Sequence, residues 1–219
     1  MTTTTPPEQL RRALGAPGSS GRLRAALGAG SQPDPDYAPV LVERCAVEPD
    51  FFVRDMLTWA LVRHPVEITV PLLVEAARRG PVRARSQALH TLSKIGDPRG
   101  WSAIDRSVLL DADDDLARSA WRAAVVLAPD DRREQLAATL ATRLGTGDSQ
   151  LRRSLSRALA ALGPAAAGPL ASAATDDDPA VRAHAAATAA LLDDPDADLG
   201  AAAGEVDRYF ATGGGHADR

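Results

Sequence analysis

Aromatic side chains and cysteine are scarce in this sequence, and both shortages narrow the possible folds. Aromatic residues make up 4% of the 219 positions, although 45% of the positions are hydrophobic. The core must therefore consist mainly of Ala, Leu and Val, a composition that suits closely packed helices better than a sheet. Cys45 is the only cysteine, which excludes an intrachain disulfide and any multi-cysteine metal site. Its apolar neighbours favour a buried, unreactive thiol.

A basic excess and long apolar runs are also missing. The formal net charge is −4, which opposes a general nucleic-acid or anionic-membrane surface, because such surfaces usually carry a clear positive excess. No apolar run approaches the roughly 18 residues that a membrane-spanning helix needs. Residues 1–7 lack the pattern of a secretory signal. We therefore expect a cytoplasmic protein that does not enter membranes.

One sequence pattern recurs along the chain: an acidic or polar turn, an apolar residue often followed by an arginine, and then a stripe of Ala and Leu. Its copies begin at Val53, Ala84, Leu116, Leu151 and Val181. They are separated by 31, 32, 35 and 30 residues, the length of a helix-turn-helix unit with short loops. Apolar or small residues recur at offsets 0, 4, 7, 8 and 11, as expected for a helix that buries one face.

Polar residues mark where these helices begin. Four copies have an aspartate three residues before the stripe, where it is predicted to cap the helix by accepting backbone hydrogen bonds: Asp50, Asp113, Asp148 and Asp178. The second copy has Pro81 there instead. Partner helices are predicted before each copy, at 37–47, 67–79, 100–110, 132–144 and 164–174. Each copy is thus predicted to be a helix pair.

The two ends depart from the repeat. Residues 8–14 and 22–27 are predicted to form the short helices of an incomplete capping repeat, and residues 199–210 a final helix. Residues 212–219, with three consecutive glycines, are predicted to be a disordered tail. The predicted organisation is an N-terminal tail and partial cap over 1–36, a repeat array over 37–195, and a C-terminal cap and tail over 196–219.

The sequence resembles the HEAT-repeat family, and most of all the short repeats described as phycobilin-lyase-like. The matching segments are Asp178–Arg182 and Ile95–Arg99, and the resemblance covers roughly residues 37–195. It implies an all-α fold, a right-handed α-solenoid of about five antiparallel helix pairs with capping helices. It also implies that the recurring arginines form an inter-repeat ladder that satisfies turn carbonyls and carboxylates: Arg54, Arg85, Arg152 and Arg182. The family includes scaffolds, assembly factors, chromophore lyases and DNA-repair glycosylases, so the resemblance predicts fold rather than function.

In this family the second helices line the concave face, and the positions opposite the buried stripe are offsets 2, 6 and 9. Offsets 2 and 6 place six candidate binding residues there: Trp59, His90, Arg118, Arg122, Arg153 and Arg157. Tryptophan and arginine are frequent interface anchors, and guanidinium groups bind carboxylates and phosphates through paired hydrogen bonds. We interpret the six as the site of a non-enzymatic adaptor or scaffold whose protein partner has an acidic or phosphate-bearing surface. A solvated face, or burial of Trp59 under the N-terminal cap, is the alternative.

Two further hypotheses follow from the resemblance. HEAT-like DNA glycosylases use an aromatic-and-carboxylate cleft, and this chain offers Trp59 with Asp55, or Trp101 with Asp105, at i,i+4 spacing. The acidic net charge disfavours nucleic acid as a partner. A lyase-like assembly factor is the other hypothesis.

No motif predicts a catalytic group, a metal or a cofactor. The four histidines show no i,i+4 pairing, which argues against a zinc site: His64, His90, His184 and His216. No Gly-rich phosphate loop follows a strand, and no G-x-S-x-G elbow occurs. The aspartate-rich runs 111–115 and 176–178 lack EF-hand spacing. We therefore expect a binding protein and not an enzyme.

Overall fold

Helices are the only regular elements among residues 5–193, the residues that the computed structural model describes. The predicted all-α class is therefore confirmed. No helix in this range is both long enough and apolar enough to cross a membrane. The helix predicted for 199–210 and the tail predicted for 212–219 lie outside the described residues.

The chain divides into two compact units, Met1–Asp105 and Arg106–Arg219. In the first unit the helices are α1 (Pro6–Leu14), α2 (Ser19–Ser31), α3 (Tyr37–Val47), α4 (Phe51–Val62), α5 (Val66–Arg79), α6 (Val82–Ile95) and a 3-10 helix at Pro98–Ala103. In the second unit they are α7 (Arg106–Leu109), α8 (Asp114–Leu127), a 3-10 helix at Asp130–Arg132, α9 (Arg133–Ala141), α10 (Ser149–Ala161), α11 (Pro164–Ala173) and α12 (Pro179–Asp193).

Consecutive helices form pairs, and within each unit the pairs stack. In the first unit α2 packs on α4 and α4 on α6, while α1 packs on α3 and α3 on α5. In the second unit α8 packs on α10 and α10 on α12, while α7 packs on α9 and α9 on α11. First helices thus contact first helices and second helices contact second helices, which is the packing order of an α-solenoid.

The predicted stripe is buried along the second helices. In the copies that begin at Val53, Leu116 and Leu151, all five offsets are buried. In the other two copies some positions are only half-buried: Ile95, Val181, Ala189 and Leu192. The 3.6-residue period of the sequence therefore identified the face that each second helix turns toward its neighbours.

The predicted caps are also confirmed. The carboxylates of Asp50, Asp113 and Asp148 accept hydrogen bonds from backbone N–H groups three residues later, at 3.1, 2.9 and 2.7 Å. The carboxylate of Asp178 accepts one from the Ala180 N–H at 2.8 Å. Each contact satisfies a donor that the first helical turn leaves free, so the aspartates have a structural role.

The recurring arginines close the turns that lead into their own helices. The Arg54, Arg152 and Arg182 guanidinium groups donate to carbonyls five residues earlier, at 2.7, 2.6 and 2.8 Å. Arg85 donates to the Ala77 carbonyl at 3.1 Å. Three of these bonds go to carbonyls in the turns, whereas the bond of Arg85 goes to a carbonyl in the last turn of α5. Arg22 of α2 also contacts a turn carbonyl, that of Pro17, at 2.8 Å.

The N-terminal pair is more complete than its sequence indicates. Helix α2 spans Ser19–Ser31 rather than 22–27, because the helix starts directly after Gly18. Its buried residues are Arg22, Ala26, Ala29 and Gly30, which have the same spacing as Val53, Leu57, Ala60 and Leu61 of α4. An arginine and small residues at stripe positions conceal this pattern in the sequence.

The helix predicted for 100–110 is not continuous. The structure has the 3-10 helix at Pro98–Ala103 and then the single turn of α7, separated by Ile104 in extended geometry with φ −101° and ψ 116°. Gly100 and Ala103 are both buried. A 3-10 helix aligns residues three apart on one side, which explains why this segment buries both of them in the tighter form.

A buried carboxylate joins the first two helix pairs. Glu48, between α3 and α4, is 0% exposed. Its carboxylate accepts two hydrogen bonds from Arg22 of α2 at 2.8 Å, and further bonds from Arg44 at 2.6 Å and the Asp50 N–H at 2.9 Å. Burial alone would raise the pKa of this carboxyl, but these donors more than offset burial and hold the pKa at about 2.

Glu48→Gln should destabilise the first unit strongly, because the change leaves the buried Arg22 guanidinium without its counter-charge. Loss of one partner of a buried ion pair costs about 3–5 kcal/mol of unfolding free energy. Glu43→Gln is the matched control, since it breaks the exposed pair of Arg11 and Glu43, and exposed pairs contribute about 1 kcal/mol or less. Urea denaturation of both variants measures the difference, and equal losses would contradict the assigned role.

The same carboxylate predicts acid sensitivity. The pKa of Glu48 is lowered from 4.5 to about 2 in the folded protein. The unfolded chain therefore binds the proton first, so the stability that Glu48 contributes is present above pH 4.5 and is lost as the pH falls toward 2. Unfolding free energy measured through this window should fall less steeply for Glu48→Gln than for the unmodified chain.

Candidate functional site

The six candidate binding residues all lie on second helices, as predicted, but they belong to two units. Trp59 is on α4 and His90 on α6, in the first unit. Arg118 and Arg122 are on α8, and Arg153 and Arg157 on α10, in the second unit. The candidates therefore form two groups, one in each unit.

Trp59 is held between α2 and Arg63, the residue that follows its own helix. A Cβ atom on Gly30 of α2 would lie 2.3 Å from the Trp59 ring, so the ring rests directly on the glycine. The Arg63 guanidinium lies 5.0 Å from the ring centroid and donates to the Gly30 carbonyl at 2.7 Å. Trp59 is still 37% exposed, so it combines packing under the N-terminal pair with a solvent-facing edge.

His90 is half-buried on α6, the helix that packs on α4. Between these two helices Thr58 and Thr91 approach each other at 3.3 Å, and Gln87 donates to the Thr58 hydroxyl at 2.8 Å. Buried hydroxyls need such partners, so this polar cluster belongs to the α4–α6 contact.

Arg118 and Arg122 lie one turn apart on α8. Arg118 forms an ion pair with Asp115 and contacts the Gln150 side chain at 3.5 Å. Arg122 is exposed and donates only to the Ser119 hydroxyl, at 3.2 Å, among the described residues. Surrounding protein atoms, and then the positive charge of Arg118, lower the pKa of Arg122. Its positive charge is therefore poorly compensated within the second unit.

Arg153 and Arg157 occupy the same offsets on α10, the next second helix. Arg153 is half-buried, and its Nε has no hydrogen-bond acceptor among the described residues. Arg157 is exposed and forms no ion pair with a described residue. We call Arg118, Arg122, Arg153 and Arg157 the arginine cluster. Asp115 is the only carboxylate among the described residues that forms an ion pair with this cluster. The guanidinium groups can therefore donate hydrogen bonds to carboxylate or phosphate oxygens.

The structure gives little support to the glycosylase pairs. Gly30 packs against the Cε3 and Cζ3 atoms of the Trp59 ring, and the Arg63 guanidinium lies 5.0 Å from the ring centroid, so part of the ring is already occupied. Trp101 is half-buried in the 3-10 helix, and the exposed Asp105 lies beyond the extended residue Ile104 rather than one α-helical turn away. Between residues 5 and 193, no three His, Cys, Asp or Glu side chains are grouped closely enough to hold a metal ion.

Cys45 is buried, as the sequence predicts, and burial raises the pKa of its thiol to about 12. The thiol therefore stays protonated at neutral pH, and thiols in this form are poor nucleophiles.

A buried Ser–His contact in the second unit escaped prediction. His184 of α12 accepts the Gly145 N–H at Nδ1 (3.0 Å), so its neutral ring carries the proton on Nε2. That Nε2 lies 3.0 Å from the Ser156 hydroxyl, which contacts the Thr188 hydroxyl at 2.8 Å. A ring protonated at Nε2 cannot accept the serine proton there, so the group is a structural network and not a nucleophile with its base. No local motif signals it, because His184 and Ser156 are 28 residues apart.

Comparison with known proteins identifies no family, because no protein-family model and no curated protein matches the chain. Among solved structures the chain is similar to an engineered protein known from a crystal structure. The two share 18% sequence identity over 86% of this chain and 98% of that chain, with a TM-score of 0.48. This likeness carries no inference about what the chain binds.

Gly30→Ala should destabilise the first unit, because the new Cβ would overlap the Trp59 ring at 2.3 Å and approach the Ala60 Cα at 2.9 Å. Such overpacking costs about 1–3 kcal/mol of unfolding free energy. Gly28→Ala in the same helix is the matched control, since nothing lies within 4 Å of its Cβ position. It should stabilise by about 0.5–1 kcal/mol through helix propensity. Thermal denaturation of both variants measures these changes in stability, and equal effects would disprove the close α2–α4 contact.

His184 should titrate far below an ordinary histidine. Burial is the main cause and lowers its pKa from 6.5 to about 4. Between these pH values the unfolded chain binds a proton that the folded chain does not, so stability should fall as the pH falls from 6.5 toward 4. An NMR titration of the imidazole measures the pKa directly. Titration near 6.5 would contradict the buried network, and His184→Asn should flatten the loss of stability in this window.

Proposed function

We propose that this protein is a non-enzymatic, cytoplasmic HEAT-repeat adaptor or scaffold that binds a protein with an acidic or phosphate-bearing surface. In the proposed architecture about five helix pairs form a right-handed superhelix, and the second helices line its concave face. The pairwise stacking within each unit supports this architecture. The proposed binding residues are the arginine cluster of the second unit and, at equivalent offsets of the first unit, Trp59 and His90.

The arginine cluster is the observation that carries the proposal. Its side chains occupy matching positions on two adjacent second helices, opposite the buried stripe. The structural arginines at offset 1 donate to turn carbonyls, whereas Arg122 and Arg157 have no carboxylate partner among the described residues. A guanidinium that is poorly compensated in the free protein gains most when an anion arrives, so these two residues are the proposed centre of the site.

The depressed pKa of Arg122 adds to this argument. Desolvation and then the neighbouring positive charge of Arg118 lower the pKa of its guanidinium, and the negative charge of Asp115 offsets them only in part. An acidic side chain or a phosphate placed between these groups would reverse that effect. Binding should therefore be strongest at low ionic strength and should weaken as salt screens the contacts.

Arg122→Glu combined with Arg157→Glu should abolish binding to an acidic ligand, because the change reverses two charges at the centre of the cluster. The probes are a fluorescent peptide of alternating Glu and Ser and its phosphoserine counterpart, followed by anisotropy. We expect a loss of affinity of roughly tenfold or more. Helicity and melting should be unchanged, since both residues are exposed.

Arg106→Glu combined with Arg132→Glu is the matched control, because both arginines are exposed in the same unit but lie off α8 and α10. The control makes the same change in net charge. Equal losses in both double variants would reduce the site to general electrostatics and refute it. Tighter binding to a DNA duplex than to either peptide, with a steep salt dependence, would instead support a nucleic-acid partner.

A further inference from the structure

Four exposed apolar side chains belong to neighbouring segments of the first unit. They are Val47 at the end of α3, Phe51 and Phe52 at the start of α4, and Val82 at the start of α6. Phe51 and Phe52 are 66% and 71% exposed, and their rings meet edge to face with centroids 5.7 Å apart. Arg83 donates to the Glu48 carbonyl at 3.3 Å, which places the start of α6 beside the α3–α4 turn. We call these four residues the Phe surface.

The fold does not require phenylalanine at these positions. Phe51 and Phe52 are the two residues directly after the capping aspartate of α4. At the same two positions α8 has Asp114 and Asp115, and α10 has Ser149 and Gln150. The helices begin equally well with polar residues there, and acidic residues at a helix start are favourable. The aromatic pair therefore adds nothing to helix formation.

Two adjacent exposed phenylalanines are also unusual in a chain so poor in aromatic residues. Phenylalanine occurs at three positions of the whole sequence, and two of them are in the Phe surface. Single exposed apolar residues are ordinary, but a contiguous exposed group marks an interaction site. A partner that buries both rings would recover the hydrophobic free energy that the free protein leaves unused.

Two arginines, Arg54 and Arg83, supply positive charge beside the Phe surface. The Arg54 guanidinium lies 5.9 Å from the Phe51 ring centroid and donates only to the neutral carbonyls of Glu48 and Pro49 among the described residues. Arg83 is exposed on the α6 side. The nearby carboxylates of Glu48 and Asp50 are committed to Arg22, Arg44 and the Val53 N–H. The exposed carboxylate of Asp55 lies one turn further along α4 and marks the far edge.

We propose that the Phe surface is a second docking site, which binds an acidic amphipathic segment of a partner protein. Apolar side chains of that segment would cover Phe51 and Phe52, and its carboxylates would meet Arg54 and Arg83. A second copy of this chain is a poorer occupant, because a symmetric contact would bring like-charged arginine rims together. An anionic membrane is also a poorer occupant, because the net charge of −4 opposes it.

This site is independent of the arginine cluster. The Phe surface lies wholly in the first unit and the arginine cluster wholly in the second. Loss of one site should leave the other intact, so either proposal can fail alone.

The test is a selection of random displayed peptides, long enough for several helical turns, on the full-length protein and on Phe51→Asp/Phe52→Asp. This variant copies the start of α8 and should keep the melting temperature of the unmodified chain. We expect enrichment of peptides that alternate Leu, Phe or Trp with Asp or Glu, on the unmodified protein alone. Anisotropy of an enriched peptide should show at least roughly tenfold weaker binding to the variant.

Three further variants locate the contact. Arg83→Glu should weaken the enriched peptide severalfold, because it reverses a charge at the rim without touching the rings. Val126→Asp changes an isolated exposed apolar residue of α8 and should have no effect. Arg122→Glu/Arg157→Glu should also leave this peptide's affinity unchanged, which separates the two sites.

Several outcomes would overturn the proposal. They are no enrichment, enrichment without acidic residues, and the same peptides on both proteins. Sedimentation that shows a dimer lost in Phe51→Asp/Phe52→Asp would assign the Phe surface to self-association. Phosphatidylglycerol vesicles that bind the unmodified protein and not this variant would assign it to a membrane.

Discussion

Each second helix has an apolar face that its own partner helix covers only in part, and the rest of the structure depends on covering what remains. Within each unit the neighbouring second helix supplies that cover. Close approach requires small residues at the contact, and Ala120, Ala123 and Ala124 are fully buried on α8 for this reason. Hydroxyl groups buried in the contact are hydrogen-bonded, as those of Ser156 and Thr188 are to each other.

This constraint separates the positions that maintain the fold from the positions that are free to vary. The stripe and the capping aspartates are committed to contacts within the chain, and the turn arginines each use part of the guanidinium for a backbone carbonyl. Two sets of positions lie away from the buried stripe and vary along the chain. They are the first two residues of each second helix and the residues at offsets 2 and 6. Phe51–Phe52 and Asp114–Asp115 occupy the same register with opposite chemistry. Substitutions at these positions can therefore change the exposed surface while the stack stays the same.

Features that depend on a few consecutive residues could be predicted from the sequence. The helix starts are an example, because the Asp113 carboxylate reaches the N–H of Leu116 within one turn. Features that join distant segments could not be predicted. Glu48 meets Arg22 across 26 residues, and the contact of Trp59 with Gly30 depends on how α2 lies on α4. The six candidate residues were placed on the correct helices by periodicity, but periodicity does not show which charges are already neutralised.

The surroundings of each arginine, rather than the number of arginines, distinguish those that stabilise the fold from those proposed to bind a ligand. Arg22 is buried and meets a carboxylate and two carbonyls, so every part of its guanidinium serves the fold. Arg122 meets one hydroxyl of its own helix and the repulsion of Arg118. An arginine-rich composition would supply both kinds of residue, but Arg122 and Arg157, which have no carboxylate partner among the described residues, share offset 6 on adjacent helices. Under the proposed function, one anionic ligand would contact guanidinium groups at the same position of two adjacent helices.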